Sequence, residues 1–381
     1  MGREELPKNE WRWQVCTPGV RLSASSPHAQ TWTSLNGPQV ASNVKDISIT
    51  SSGSTLYVAD ANHVLKSTND GAGWAVTSQP YSSPLLVLVK PNDGSIVLAA
   101  KNGELKYNNQ GGGGSGWTTI SNLADLTPLC LVAAVNDNTV MLLGRTYVSN
   151  NNAIWRSSNS GASWSKVTTF GASTNVHDFD TYPTAGQGRD GVILAGGINP
   201  SGAPEGSSNS SPATTSGLWK SADYGANWDQ NGLGNRNVRS VAIVPKPSAT
   251  DYIRLAADNV AAGNDALMRN TSLTDDGQWT QITLSPAPAD IYLIRRKASN
   301  GNIFLAASNG VWKSTDDGAS FTQVGLSGTD VISLAVSSTG NNVFAGTANT
   351  LYKSTDNGSN WTEVGKMNVS STDGKERAAK K

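Results

Sequence analysis

The chain is poor in the residues that carry most protein chemistry. Its two cysteines, Cys16 and Cys130, lie far apart and outside any CxxC or Cys/His ligand pattern. A disulfide framework is therefore excluded, while one long-range bridge and two separate thiols both stay open. The three histidines, His28, His63 and His177, are isolated, so no zinc constellation forms and no metal site is expected. Only 15% of residues are charged, and 29 Lys plus Arg balance 29 Asp plus Glu, so bulk electrostatics favours neither nucleic acid nor an anionic membrane. The one concentrated basic stretch, Lys375 to Lys381, reads as part of a solvated tail over residues 367–381. No segment approaches the roughly eighteen consecutive apolar residues of a membrane span. The N-terminal MGREELPKNEWRW has no signal-peptide core, and Leu6 stands where a myristoylation pattern wants Ser or Thr. Membrane insertion and a cleaved leader are not expected. A trimmed leader, another export route and a virion component released by lysis all stay open. Gly111–Gly114 lacks the Lys-Ser/Thr of a phosphate loop, and no dinucleotide motif, calcium loop or Ser-His-Asp arrangement occurs. No cofactor is expected.

What is abundant is turn chemistry and self-similarity. There are 39 glycines, and Ser, Thr and Asn fill the gaps between short apolar runs, the balance of many short strands. Four segments align almost without gaps, LKSTNDGAGW from Leu65, LWKSADYGANW from Leu218, VWKSTDDGASF from Val311 and LYKSTDNGSNW from Leu351. IWRSSNSGASW from Ile154 is a fifth, and LKYNNQGGGGSGW from Leu105 and LMRNTSLTDDGQW from Leu267 keep the frame with a degraded turn. The closing aromatics Trp74, Trp117, Trp164, Trp228, Trp279, Phe321 and Trp361 are 43, 47, 64, 51, 42 and 40 residues apart. That period suits a four-stranded blade. The expected fold is all-β, a seven-bladed β-propeller of four-stranded antiparallel blades.

The repeat resembles the Asp box (BNR repeat), Ser-x-Asp-x-Gly-x-x-Trp, of sialidases, the sortilin propeller, xyloglucan-cleaving hydrolases and Ycf48-type photosystem II assembly factors. The matching residues are Ser67, Asn69, Gly71 and Trp74; Ser157, Asn159, Gly161 and Trp164; Ser221, Asp223, Gly225 and Trp228; Ser314, Asp316, Gly318 and Phe321; and Ser354, Asp356, Gly358 and Trp361. Asp or Asn can accept from amides of its own turn, Gly supplies a positive φ, and the aromatic fills the space beneath. These aspartates read as folding devices rather than as catalytic or metal-binding groups. The resemblance implies that the boxes lie away from the binding face.

The organisation expected is an N-terminal arm over residues 1–28, a propeller over 29–366 and the basic tail. TWTSL around Trp32 is an eighth fourth-strand candidate for seven blades. It either closes the last blade, alongside or in place of WTEV, or adds an edge strand. The arm, with Trp11 and Trp13, is a candidate for self-docking, for a partner or for oligomer assembly. The insertion from Asn199 to Gly217 reads as a flexible loop.

The candidate binding face comprises loops between second and third strands and those joining blades. It carries Asp60, His63, Tyr81, Lys101, Arg145, Tyr147, Asn150 to Asn152, Glu205, Arg236, Asp258 and Asp265. A sialidase would need three arginines on a carboxylate, and its N-terminal Arg-Ile-Pro motif is absent. Arg145, Arg236 and either Arg239 or Arg254 could assemble an anion clamp, but nothing in their spacing requires it. Other glycoside hydrolysis needs two carboxylates flanking the scissile bond, and any face of this size supplies several by chance. The expected function is a non-catalytic scaffold for a protein or glycan partner, as an assembly factor or as part of a larger particle such as a virion. A glycoside hydrolase of sialidase-like or related Asp-box type is the alternative.

Overall fold

The computed structural model describes residues 44–366 apart from 51–52, 61–62, 78–85, 91–93, 114–115, 121–122, 124–126, 135–136, 138, 146–153, 169–173, 183–188, 199–215, 235, 247–251, 259–264, 273–276, 297–300 and 338–340. The arm, Cys16, the segment around Trp32, most of the 199–217 insertion and the tail lie outside the described residues.

Every regular element described is a strand, and the strands form seven four-stranded antiparallel sheets in sequence order. Blades 1 to 7 run Asp46–Val76, Leu86–Ile120, Pro128–Lys166, Asn175–Gln230, Val238–Ile282, Ile291–Gly325 and Val331–Lys366. The first strand of each blade touches the first strands of both neighbours, and blade 7 meets blade 1, so the ring is closed. The fourth strand of blade 7 is Thr362–Lys366, the WTEV segment itself. The seven-bladed all-β architecture is the one expected from the repeat.

The apolar core lies between blades. Each of seven buried clusters draws on two neighbouring blades, as where Leu255 and Ile253 of blade 5 meet Ile303 and Trp312 of blade 6, and where Trp74 of blade 1 meets Phe344 of blade 7. A four-stranded sheet has two faces to bury, and stacking in a ring covers both. Close stacking demands small residues on second strands. Gly144, Gly196 and Gly346 pair with Cys130, Asp178 and Ser333 of their first strands. An added Cβ would sit 2.8 Å from Val176 O, Val238 O and Val44 Cγ1 respectively, in each case on the next blade.

The turns between third and fourth strands share one hydrogen-bond pattern. The Ser67, Ser157, Ser221, Ser314 and Ser354 hydroxyls accept the Gly71, Gly161, Gly225, Gly318 and Gly358 amides at 2.8–2.9 Å. Oδ1 of Asn69, Asn159, Asp223, Asp316 and Asp356 accepts the amide four residues on, at 2.8–3.0 Å. Trp164, Trp228 and Trp361 donate Nε1–H to the glycine carbonyl at 3.0 Å. In blades 2 and 5, Asn108 and Asn270 occupy the serine register and accept amides of their own turns.

These turns also clamp neighbouring blades. The residue before the turn glycine has a positive φ, as in Asp70 (55°) and Tyr224 (57°), and the Asp70, Tyr224 and Asp317 carbonyls accept from the preceding blade. Lys66 Nζ reaches Gly111 O (2.8 Å), Arg156 Nε reaches Tyr224 O (2.7 Å), Arg269 Nε reaches Asp317 O (3.1 Å) and Lys353 Nζ reaches Asp70 O (2.6 Å). Lys66, Arg156 and Lys353, and Arg269 in the same register of blade 5, are thus inter-blade clasps.

Candidate functional site

First strands are edge strands whose outward amides need partners, because one neighbour in the sheet is missing. Here side chains of the adjacent blade supply them. Asp46 Oδ2 accepts Val87 N–H (3.0 Å) and Ser48 Oγ accepts Val89 N–H (2.9 Å), joining blade 1 to blade 2. Asp178 and Asp180 accept Val241 and Ile243 N–H at 3.2 and 2.7 Å, joining blade 4 to blade 5. Ser240 donates its hydroxyl to Asp178 and accepts Ile294 N–H (2.9 Å), joining blade 5 to blade 6. Arg295 of blade 6 then crosses to Asp178, NH1 to Oδ2 at 3.0 Å and NH2 to Oδ1 at 3.2 Å.

Asp46, Ser48, Asp178, Asp180 and Arg295 face a cavity of about 250 Å³, lined by first strands of six of the seven blades and therefore on the ring axis. One arc is polar, with Asp46, Ser48, Asp178, Asp180 and Arg295. The other is aliphatic, with residues such as Leu88, Leu131 and Leu334. Burial raises the Asp46 carboxyl to about 6, against the opposing pull of the Val87 amide and of Arg295. Burial also raises Asp180, opposed by Arg296 and the Ile243 amide. Burial drives the Cys130 thiol well above its usual value, which disfavours the thiolate, and the thiol donates to Val176 O at 3.5 Å.

A β-bulge near the start of the first strand sets one residue per blade out of register in blades 3 to 7. The residues so displaced are Leu129, His177, Arg239, Tyr292 and Ile332, and bulges re-aim side chains in this way. Arg239 is the hub. It pairs with Asp290 at 3.0 Å and Asp265 at 3.7 Å, and its guanidinium lies 5.4 Å from the Tyr292 ring centroid. Burial lowers His177 to about 4, aided by Arg239. Burial and a hydrogen bond to Asp330 raise Tyr292 to about 12. His177 is neutral and Tyr292 protonated at neutral pH.

The face residues expected from sequence divide into local groups. Asp60 is fully buried at the end of a second strand and accepts His63 N–H at 2.5 Å, bracing its own turn, with His63 Nδ1 3.5 Å away. Asp258 holds the matching place in blade 5 and pairs with Arg236 at 2.5 Å. Asp265 Oδ2 accepts Ile291 N–H of blade 6 at 2.9 Å. Lys101 lies 3.6 Å from Glu104 across a tight turn, and Arg145 is buried in blade 3. Arg236 with Asp258, and Asp265 with Arg239, form groups on blade 5. The Asp60–His63 pair and Lys101 belong to separate blades. Tyr81, Tyr147, Asn150 to Asn152 and Glu205 lie outside the described residues. Arg254 lies at the other end of blade 5, where it reaches Ser272 O at 2.5 Å and stacks 5.5 Å from the Trp279 ring centroid. It therefore takes no part in an anion clamp with Arg236.

Asp46, Asp178, Asp180 and Arg295 were not singled out from sequence, although a signal exists. KDISIT puts Asp46 and Ser48, and NVHDFDT puts Asp178 and Asp180, at alternate positions of strands that elsewhere read LVLV or ISLAV. Among the described residues, no group of three or more His, Cys, Asp or Glu is arranged to hold a metal ion. No described helix is long and apolar enough to cross a membrane.

The family model of the DUF6242 beta propeller domain matches residues 258–374. No curated protein matches the chain. Among solved structures, an ancestral GH74 enzyme superposes with a TM-score of 0.65 at 16% identity, over 88% of this chain and 48% of that one. The GH74 xyloglucanase from Xanthomonas campestris superposes with 0.63 at 14% identity, over 86% and 55%. A structure of YCF48 bound to D1 peptide superposes with 0.56 at 14% identity, over 82% and 93%. The chain spans about half the length of the two GH74 structures it matches. At these identities the likeness is one of fold, and the chain is a seven-bladed β-propeller similar in architecture to both groups.

Proposed function

We propose that this chain is a non-catalytic propeller scaffold of the Asp-box type, presenting its axial channel and the surrounding loop face to a protein or glycan partner. Within that reading the protein serves as an assembly factor or as a component of a larger particle, such as a virion. The observation that carries it is the engagement of the described carboxylates. Asp60, Asp265, Asp178 and Asp180 each accept a backbone amide, and Asp258 and Asp290 each pair with an arginine. A glycosidase needs one carboxyl to carry a proton to the leaving group and a second to act as nucleophile or base, roughly 5 to 10 Å away. Carboxylates spent on joining strands and blades are poor candidates for either task. The shared serine and Asx hydrogen bonds of the five box turns support the Asp-box assignment, and the single ring's overlap with nearly the whole peptide-bound YCF48 chain supports a binding role.

The test is turnover of xyloglucan and of aryl glycosides, sialosides included, alongside the size of the native material. No turnover and recovery in a larger assembly are expected. Turnover abolished by one carboxylate-to-amide change on the loop face or in the channel would overturn the reading in favour of a glycoside hydrolase.

A further inference from the structure

The axial cavity has a chemistry of its own. Its volume of about 250 Å³ is several times the roughly 30 Å³ share of one water molecule in the liquid, so it has room for a side-chain-sized group. Its lining is divided, with aliphatic residues on blades 2, 3 and 7 and polar residues on blades 1, 4 and 6. Three carboxylates face it against one guanidinium, and that guanidinium is already committed to Asp178 through two nitrogens. Asp46 and Asp180 both lack an ion pair at contact distance among the described residues, but Asp180 has Arg296 as a nearby counter-charge, which leaves Asp46 the less matched. Its oxygens accept the Val87 and Ile47 amides at 3.0 and 2.9 Å, and no lysine or arginine among the described residues pairs with it. A carboxylate has about four lone-pair sites, so about two remain for a further donor.

We infer that this cavity binds a primary ammonium group on a short alkyl stem, with Asp46 and Ser48 receiving the ammonium and the Leu88, Leu131 and Val132 wall receiving the stem. The group is carried by a free alkylamine or by a lysine of a partner polypeptide. An anion would meet three carboxylates and an occupied arginine. A divalent cation needs convergent ligands, and no such group exists among the described residues. A neutral alkyl chain would displace water from Asp46 and leave its charge uncompensated, which is costly. The raised Asp46 carboxyl, at about 6, agrees with this because a cation beside it would restore its ordinary value. Asp178, Asp180, Arg295 and Cys130 are the other charged or titratable groups facing the cavity or Asp46 itself.

The inference rests on the ring axis belonging to the binding face. Calorimetric titration of the full chain at pH 7.5 with n-butylamine, and with n-butanol as the neutral isostere, tests it. Saturable amine binding at least tenfold tighter than the alcohol is expected. It should weaken about tenfold at pH 5, where an Asp46 titrating near 6 is about nine-tenths protonated. Asp46→Asn keeps an acceptor for Val87 N–H while removing the charge, and Val132→Phe fills the apolar wall with charge unchanged. Each should weaken the amine at least tenfold. Equal binding of amine and alcohol, or binding unchanged by Val132→Phe, overturns the inference, and the second variant decides alone if the first does not fold. A second arm compares acetyl-Gly-Lys-Gly-amide with its Gln counterpart. Amine binding with selective lysine-peptide binding supports a polypeptide source, and amine binding without it supports a free amine. Failure of the amine with partner capture intact sinks this site and leaves the scaffold reading. Glycan turnover sinks the scaffold reading without touching amine binding.

Discussion

Replacing Lys353 by methionine should weaken the seam between blade 7 and blade 1. The ammonium donates to Asp70 O at 2.6 Å and stacks 5.6 Å from the Phe344 ring centroid. Burial lowers its pKa, and Asp70 opposes that shift. Lys313 is the internal control, because it stacks on Phe304 at 5.9 Å and makes no carbonyl hydrogen bond among the described residues. Methionine retains most of the apolar stem in both variants, and both lose a cation–π contact of about 0.5 kcal/mol. Only Lys353→Met also loses a charged hydrogen bond, about 1.5 kcal/mol at the low end suited to a partly exposed group, and leaves a carbonyl without its donor. At roughly 2 °C per kcal/mol for a ring of this size, Lys353→Met should melt about 3 °C below Lys313→Met in parallel calorimetric scans. Equal midpoints, or a lower one for Lys313→Met, would refute the clasp.

Asp316→Ala should lower the melting temperature by about 2–4 °C at pH 7, through loss of turn hydrogen bonds worth about 1–2 kcal/mol. Burial pushes the Asp316 carboxyl up, but the Ser320 hydroxyl and amide and the Ser314 hydroxyl outweigh it and hold it at about 2. Its folded pKa is below its unfolded one, so its contribution is present above about pH 4 and fades as pH falls toward 2. Wild type and variant should therefore converge in acid, and a gap that persists at pH 2 would contradict the assignment. Gly346→Val should destabilise by about 1–3 kcal/mol, since even a Cβ would lie 2.2 Å from Ser333 Oγ and 2.8 Å from Val44 Cγ1. A midpoint in urea within error of wild type would show that blades 7 and 1 have slack.

The repeat made the blade count legible before any coordinate, because each unit carries its own hairpin chemistry. Ser314, Asp316, Gly318 and Phe321 all act within about eight residues of one another, so their spacing along the chain reports their contacts. The same holds for the third strand with its alternating Val311 and Lys313. The site was less legible. Asp265 and Asp258 were singled out on the loop face, yet they accept an amide of the next blade and an arginine 22 residues away. Local pattern does not encode either partner.

What the sequence by itself determined is therefore the unit, a four-stranded blade with a serine- and Asx-bonded turn, and its sevenfold repetition. What only the tertiary structure decided is what happens between units. It brought Asp46, Asp178, Asp180 and Arg295 around one axis from positions 46 to 295 of the chain, assigned Lys66 and Lys353 to carbonyls of the neighbouring blades, and made the bulged Arg239 the hub of a cluster. Hydrogen bonds within a hairpin depend on residues close in sequence. The contacts that stack blades depend on ring closure, which brings residues from distant repeats into contact and decides which carboxylates are matched by a cation and which are left to an amide.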